Sequence, residues 1–480
     1  MNNLRRTKIV VTLGPALDEP SMLRRVIVAG ADVFRANFSH GSVEMHEKRI
    51  SMVREIAAEY GKPVAILVDL QGPKIRVARF KNKKVTLHEG QSFILNTDLG
   101  DEEGTEETVS LDYKELPRDV HPNDTLLLDD GRIVMQVEKI VNNCIHCTVI
   151  AGGELSNNKG INRLGGGLSA AALTDKDRID IKDAVRLEAD YIAISFPRNA
   201  EDVNEARALL KAAGGSAGII AKIERAEAVT NIKEIIEASD AVMVARGDLG
   251  VELGDAELPG VQKHIIRLAR SLNKPVITAT QMLETMTYNT IPTRAEVSDV
   301  ANAVLDGTDA VMLSQETAIG KYPDKAVAAM DRICLSAERN PISKTPRARV
   351  DFHFNHVDEA IAMATMYTAN HLDIKAIIAL TESGSTPLWM SRVRSSIPIF
   401  GLSRHAATRR RMALYRGVYP IPFDATPIDR RMLNLSAVTE LQQREILQEG
   451  DLVIITKGDL IGVHGRTNSL KIYTVGAKKE

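Results

Sequence analysis

The chain has 480 residues, which at about 150 per domain predicts roughly three domains with ample length to bury their cores. Hydrophobic residues make up 44% and charged residues 26%, the composition of an ordinary soluble globular protein. Lysine and arginine number 61 against 63 aspartates and glutamates, a formal net charge of −2, which argues against nucleic acid or an acidic membrane as the main partner. The N-terminus is basic, but the apolar stretch after it breaks at Gly14-Pro15 and acidic residues follow, so it reads as neither a secretory signal nor a transit peptide. No apolar run approaches the ~20 residues that span a bilayer. Three cysteines cannot build a disulfide framework, and the expected location is a reducing cytoplasm.

A unit of short β-rich run, polar loop and amphipathic helix repeats along the first two thirds of the chain. The β-runs are 8–13, 32–37, 64–69, 191–195, 218–224, 240–245, 275–280 and 309–314. Several are nearly continuous apolar strings, as expected of strands buried on both faces of a parallel sheet. Helical patterns over 43–60, 176–187, 261–271 and 322–337 intervene. Strands alternating with helices in this way read as an α/β fold, a (β/α)8 TIM barrel over 1–71 and 170–340.

The connection between the third and fourth strands, 72–169, is too long to be a structureless loop. It holds period-2 runs at 85–88, 92–95, 108–111, 124–128 and 131–140, with turns at Asp129-Asp130-Gly131 and Gly152-Gly153, and reads as an inserted small β domain. Cys144 and Cys147 form one C-x-x-C in the alternating run 144–150 without a second pair. It is either a redox or half-zinc site, or a solvated strand that contains two thiols. After Asn340-Pro341 the polar, basic stretch 342–350 reads as a linker. A helix over 356–372 and strands at 376–380, 398–402, 417–420, 452–456 and 470–475 then predict a separate C-terminal α/β domain over 350–480.

Active sites of such barrels lie at the C-terminal strand ends. The second strand ends in Arg35, Asn37, Ser39 and His40, and the third in Asp69, with Lys74 and Arg76 beyond. The fifth ends in Lys222-Ile223-Glu224-Arg225, the sixth in Ala245-Arg246-Gly247-Asp248, the seventh in Thr278-Ala279-Thr280-Gln281 and the eighth in Ser314-Gln315-Glu316-Thr317. Period 2 aims Lys222 and Glu224 at the same side, toward the barrel mouth. An ammonium beside Glu224 and Asp248 suits a site that holds Mg²⁺ and a transferring phosphoryl group. A rim ion pair explains any one of these residues, but charges collected at one barrel end are costly to hold without a ligand. Gly165-Gly166-Gly167 and Gly247-Asp248-Leu249-Gly250 are either phosphate cradles or turns, and the chain carries no G-x-G-x-x-G opening a helix and no Walker sequence.

The strings Asn37-Phe38-Ser39-His40-Gly41, Gly72-Pro73-Lys74-Ile75-Arg76, Ala221-Lys222-Ile223-Glu224, Ala245-Arg246-Gly247-Asp248-Leu249-Gly250, Ala279-Thr280-Gln281-Met282-Leu283-Glu284 and Pro292-Thr293-Arg294-Ala295-Glu296 resemble those of the pyruvate kinases, in order and over essentially the whole chain. The resemblance implies transfer of the phosphoryl group of phosphoenolpyruvate to ADP, giving pyruvate and ATP, the final step of glycolysis. It implies a small β-barrel lid, a regulatory C-terminal domain and a homotetramer. Lys222 then stabilises the transferring group, Glu224 and Asp248 hold Mg²⁺, Arg35 binds phosphate, and Gly247 and Thr280 contact the substrate, Thr280 near the face where the enolate is protonated. The nucleotide side falls to Asn37, Phe38, Ser39, His40, Arg76 and Lys159, and Asn37, Ser39 and Asp69 match the monovalent-cation site.

Many pyruvate kinases have Thr-Lys-Gly-Pro-Glu where this chain has Leu70-Gln71-Gly72-Pro73-Lys74, and a small residue in place of Gln315. Those with Glu at the position of Lys74 generally need K⁺ and those with Lys do not, so the resemblance implies K⁺ independence. Thr381, Ser383, Gly384, Ser385 and Thr386 resemble the loop that takes a sugar-phosphate or nucleotide effector; Arg392, Arg394, Arg404 and Arg409–Arg411 read as countercharges to it or, for most of them, as a solvated basic face, and Ser385 stands where Arg often follows the glycine. Two other readings are a Mg²⁺-dependent carbon–carbon lyase, which needs neither Lys222 nor a lid, and a nucleotide-sensing scaffold on a dead barrel, which predicts losses among the site residues.

Overall fold

The computed structural model describes residues 4–340, 354, 356–459 and 465–476; the linker expected over 342–350 lies outside the described residues. Eight parallel strands, Lys8–Thr12, Val33–Asn37, Ala65–Asp69, Tyr191–Ile194, Gly218–Ile223, Ala241–Ala245, Val276–Ala279 and Ala310–Leu313, close into a barrel. The first pairs with the eighth, Lys8 opposite Ala310, so no strand edge is exposed. All eight coincide with the apolar runs of the sequence. Their two faces part at period 2: Ile9 and Val11 pack with the surrounding helices, whereas Val10 joins Val33, Leu67, Ile220, Met243 and Ile277 in the lumen. Lys222 and Glu224 continue the inward row of Ile220, while Ala221 and Ile223 face the helices. The helix Asp175–Arg186 starts on a capping box, Thr174 accepting from the Asp177 amide and Asp177 accepting from Thr174. Asp177 also accepts from Gly72 N at 3.1 Å, which ties the root of the insertion to the barrel.

The insertion forms a six-stranded sheet, in the order Ile161–Arg163, Thr125–Leu128, Ile133–Val141, Cys144–Ala151, Ser92–Asn96, Thr108–Val109, and a two-stranded sheet of Lys84–Leu87 with Gly153–Ser156. They enclose a core of their own, centred on Phe93, Leu95, Leu126, Met135 and Val137. Asp129, Asp130 and Gly131 all take positive φ, 51°, 57° and 84°, at the turn read from their composition. Gly152 has a packing reason instead, since a Cβ there would meet Leu87 O at 2.3 Å. Cys144 and Cys147 are three apart on one strand and so face opposite sides. Cys147 is buried, with its thiol pushed up to about 12 by that burial, and the redox or half-zinc reading fails.

The C-terminal sheet runs Val418–Pro422, Ile399–Ser403, Ala376–Leu380, Leu452–Gly458 and Thr467–Thr474, the last strand antiparallel. It docks on the base of the barrel through Arg392, which donates to Lys274 O at 3.0 Å and to both carboxylate oxygens of Asp309, at the start of the eighth barrel strand. Both side chains of this ion pair are 1% exposed. Arg392→Met leaves the Asp309 carboxylate buried without its counter-charge, and a loss of about 3–5 kcal/mol is expected. Urea unfolding checks it as a lower midpoint, and an unchanged midpoint refutes it. Among the described residues, no helix is long and apolar enough to cross a membrane.

Candidate active site at the barrel mouth

The strand ends bring the charges together as their register dictates. Asn37 stands opposite Asp69 across the second and third strands. Arg35 Nε donates to Asp69 Oδ2 at 2.6 Å and its Nη1 to Thr12 Oγ1 at 3.1 Å. Lys222 Nζ lies 2.8 Å from Glu224 Oε1, 3.4 Å from Asp69 Oδ1 and 2.8 Å from Ser195 Oγ, which in turn donates to Leu70 O. Glu224 Oε2 accepts from Phe196 N at 2.9 Å. Burial alone would lower the Lys222 ammonium, but Asp69 and Glu224 outweigh it and raise its pKa, so the cation persists at neutral pH. Burial raises the Glu224 carboxyl, Lys222 opposes this, and the like charges of Asp248 and Asp69 add to it.

At the adjoining strand ends, Gly247 N donates to Thr280 Oγ1 at 2.9 Å, and that hydroxyl donates to Ala279 O at 2.6 Å. A Cβ on Gly247 would meet only the Thr280 side chain, at 3.7 Å, so the space beside this glycine is otherwise open. Lys74 Nζ reaches Asp248 Oδ1 at 3.2 Å. The Phe38 ring stacks on His46, whose Nε2 contacts His40 O at 2.8 Å, and Lys176 Nζ donates to Phe38 O, which fixes the loop from Asn37 to His40. Burial, then Arg76, Arg35 and Lys74, lower the pKa of His40 and keep it neutral. In the insertion, Arg76 bridges Gly160 and Val77 N donates to Lys159 O, so two cations far apart in sequence share one root. The Lys159 ammonium rests on Asp129 Oδ1 at 2.7 Å.

Buried cations and carboxylates, with open space beside Gly247, at one barrel end make a site for an anionic substrate and a hard cation, and comparison with known proteins agrees with it. The family description "Pyruvate kinase, barrel domain" matches residues 4–327, and "Pyruvate kinase, alpha/beta domain" matches 359–473. The chain belongs to the pyruvate kinase family. It is 57% identical over 476 residues to pyruvate kinase II of Salmonella typhimurium, covering 98% of this chain and 99% of that one. It is 54% identical over 459 residues to a pyruvate kinase of Haemophilus influenzae, covering 95% and 96%. Pyruvate kinase 2 of Synechocystis is 44% identical over 477 residues, covering 98% of this chain and 80% of that one. The chain is accordingly an enzyme, a phosphotransferase.

Among the described residues, no three or more His, Cys, Asp or Glu side chains gather as a metal cage. The donor set still suits a hard cation that substrate and water help to hold, since Glu224 and Asp248 offer carboxylate oxygens at one mouth and Asp69 Oδ1 is buried without a hydrogen-bond partner. Gln315 is exposed, so its size costs no packing.

Two contributors have no role in the sequence reading, although Arg246 stands there at the sixth strand end. Ser195 touches Lys222 from the fourth strand end, and Arg246 donates to the carbonyls beside Thr280. Neither is a titrating acid or base, and only barrel closure shows what they touch. In the C-terminal domain, Gly384 N donates to Thr381 Oγ1, the Ser383 and Ser385 hydroxyls pair at 2.8 Å, and Thr386 is buried against Thr467. A cleft beside this loop is lined by Arg404, Lys457 and Arg466. Arg392, Arg410 and Arg411, weighed earlier as countercharges there, instead bind Asp309, Asp190 and Ser216 of the barrel.

Proposed function

We propose that the chain transfers the phosphoryl group of phosphoenolpyruvate to ADP, and that the barrel-mouth residues hold the roles the resemblance implies. The observation that carries this reading is the charged Lys222 held by Asp69, Glu224 and Ser195, with the open space at Gly247 on the adjoining strand end. The bond from phosphorus to the enol oxygen breaks, a bond to a terminal phosphate oxygen of ADP forms, and the enolate takes a proton at carbon. Lys222 and Arg35 neutralise charge on the moving group without reorganising, since both are already oriented by Asp69. Gly247 and Thr280 position the substrate, with the Thr280 hydroxyl near the face that is protonated. Glu224 and Asp248 would hold Mg²⁺, which supplies Lewis-acid stabilisation when bound. Asn37, Phe38, Ser39 and His40, with Arg76 and Lys159 carried by the lid, orient ADP and exclude water. A coupled assay of pyruvate formation from phosphoenolpyruvate and ADP tests the reading; a silent wild-type enzyme overturns it.

The finer proposals follow the same resemblance. The domains are the barrel at 1–71 and 170–340, the lid at 72–169 and the regulatory domain at 350–480, assembled as a cytoplasmic homotetramer. The loop at Thr381, Ser383, Gly384, Ser385 and Thr386 takes a phosphorylated effector, supported by Lys457 and Arg466 in the cleft it shares with Glu382 and Asp358. Asn37, Ser39 and Asp69 form the monovalent-cation site, supported by the buried Asp69 Oδ1, which among the described residues accepts no hydrogen bond and meets only the Lys222 ammonium at 3.4 Å, and Lys74 replaces the charge of K⁺. Its ammonium sits on Asp248 and helps to lower His40, so the positive charge is already present at the mouth. The wild type is expected to be active when the only monovalent cation is a bulky organic one. Lys74→Glu is expected to lose activity in that buffer and to regain part of it with K⁺. A wild type that waits for K⁺ refutes the substitution.

A further inference from the structure

The turn that presents Thr280 is built in an unfavourable conformation. Thr280 and Gln281 take φ of 67° and 54°, two successive left-handed residues of which one is β-branched. Such backbone persists only where its surroundings over-determine it. Beside the buried Ala279, Met282 and Leu283, the turn is gathered by one guanidinium. Arg246 Nε donates to Ala279 O at 3.3 Å and Thr280 O at 3.1 Å, and its Nη2 donates to Thr280 O at 2.6 Å and Gln281 O at 3.1 Å. Its Nη1 is held by Asp299 Oδ1 at 2.6 Å, from the helix Arg294–Asp306. Ala245 pairs with Ala279 across the sixth and seventh strands, so Arg246 leaves its strand directly beside the turn. Three successive carbonyls turned toward one point would repel one another, and a planar cation with several donors satisfies them together.

We infer that Arg246 is a positioning residue for the phosphoenolpyruvate end of the site: by gathering the carbonyls of Ala279, Thr280 and Gln281 it holds the Thr280 hydroxyl 2.9 Å from Gly247 N. This rests on the pyruvate kinase reading for its consequence, though not for the brace itself. The guanidinium is 7% exposed and spends its donors on protein, so it touches no substrate and acts through Thr280 and Gly247 alone.

The test uses the full chain with Arg246→Ala and Arg246→Lys. In Arg246→Ala, amide hydrogen exchange over 279–283 is expected to speed up at least ~10-fold, with the strand Tyr191–Ile194 unchanged. The kinetic expectation is a loss of ~10²-fold in kcat/KM for phosphoenolpyruvate with KM for ADP within about twofold of wild type. Millimolar methylguanidinium should restore part of that loss, and methylammonium should not, because only the planar fork spans several carbonyls. Arg246→Lys should fall between, and it keeps the test valid if the alanine variant fails to fold. Unchanged exchange overturns the brace. KM values for both substrates rising together, or rescue by either cation alike, overturn the positioning role. A wild-type chain silent toward phosphoenolpyruvate and ADP overturns the functional reading instead.

Discussion

Lys222→Met is expected to lower kcat by on the order of 10³-fold or more, with a much smaller change in KM for phosphoenolpyruvate. The ammonium is the group placed where charge develops on the transferring phosphoryl. Asp69 on one side, Glu224 on the other and the Ser195 hydroxyl leave it no freedom to relax. Methionine keeps an unbranched apolar chain, one atom shorter, and removes the charge. The same change strips a counter-charge from Asp69 and Glu224, which are 1% and 2% exposed. Arg35 still holds Asp69, while Glu224, already raised by burial, loses the cation that opposed that shift. Part of the stability is therefore lost, and the rate must be read well below the melting temperature of the variant. Turnover within about tenfold of wild type would remove the assigned role.

Replacing residues 72–168 by a short Gly/Ser splice is expected to abolish phosphoryl transfer while the barrel still folds. The insertion buries its own core around Phe93, Leu126 and Met135, so its removal opens no cavity among the barrel strands. The barrel does lose named contacts at the rim, where Arg225 donates to Leu168 O and Glu252 accepts from Asn162. Without Arg76 and Lys159, ADP is neither oriented nor shielded from water. Lys222, Thr280, Glu224 and Asp248 all remain, so exchange of the pyruvate methyl protons with solvent is expected to survive, and proton NMR in deuterated buffer reads it. Full kinase activity in the lidless protein sinks the assignment of the lid, whereas loss of both reactions assigns the lid a part in the barrel site as well.

The eight strands and the common side of Lys222 and Glu224 were legible in the sequence because both follow from the local period of a strand. A run such as Ala241–Ala245 is apolar on every residue because both its faces are covered, and that needs no knowledge of its neighbours. The two thiols at Cys144 and Cys147 were undecided in the sequence, yet the same period settles them once the strand is known. What only the tertiary structure decided are the pairings between distant segments: Ser195 on Lys222, Lys74 on Asp248, Arg76 beside Lys159, Arg392 on Asp309, and Arg246 on the carbonyls around Thr280. An arginine has no periodicity that names its acceptor. Its partner is set by which strand ends become neighbours when the barrel closes, and by where the insertion and the C-terminal sheet dock. For Lys222, Arg392 and Arg246, buried charge makes the pairing specific, because each group taken out of water must find an opposite charge or a polar partner at hydrogen-bond distance.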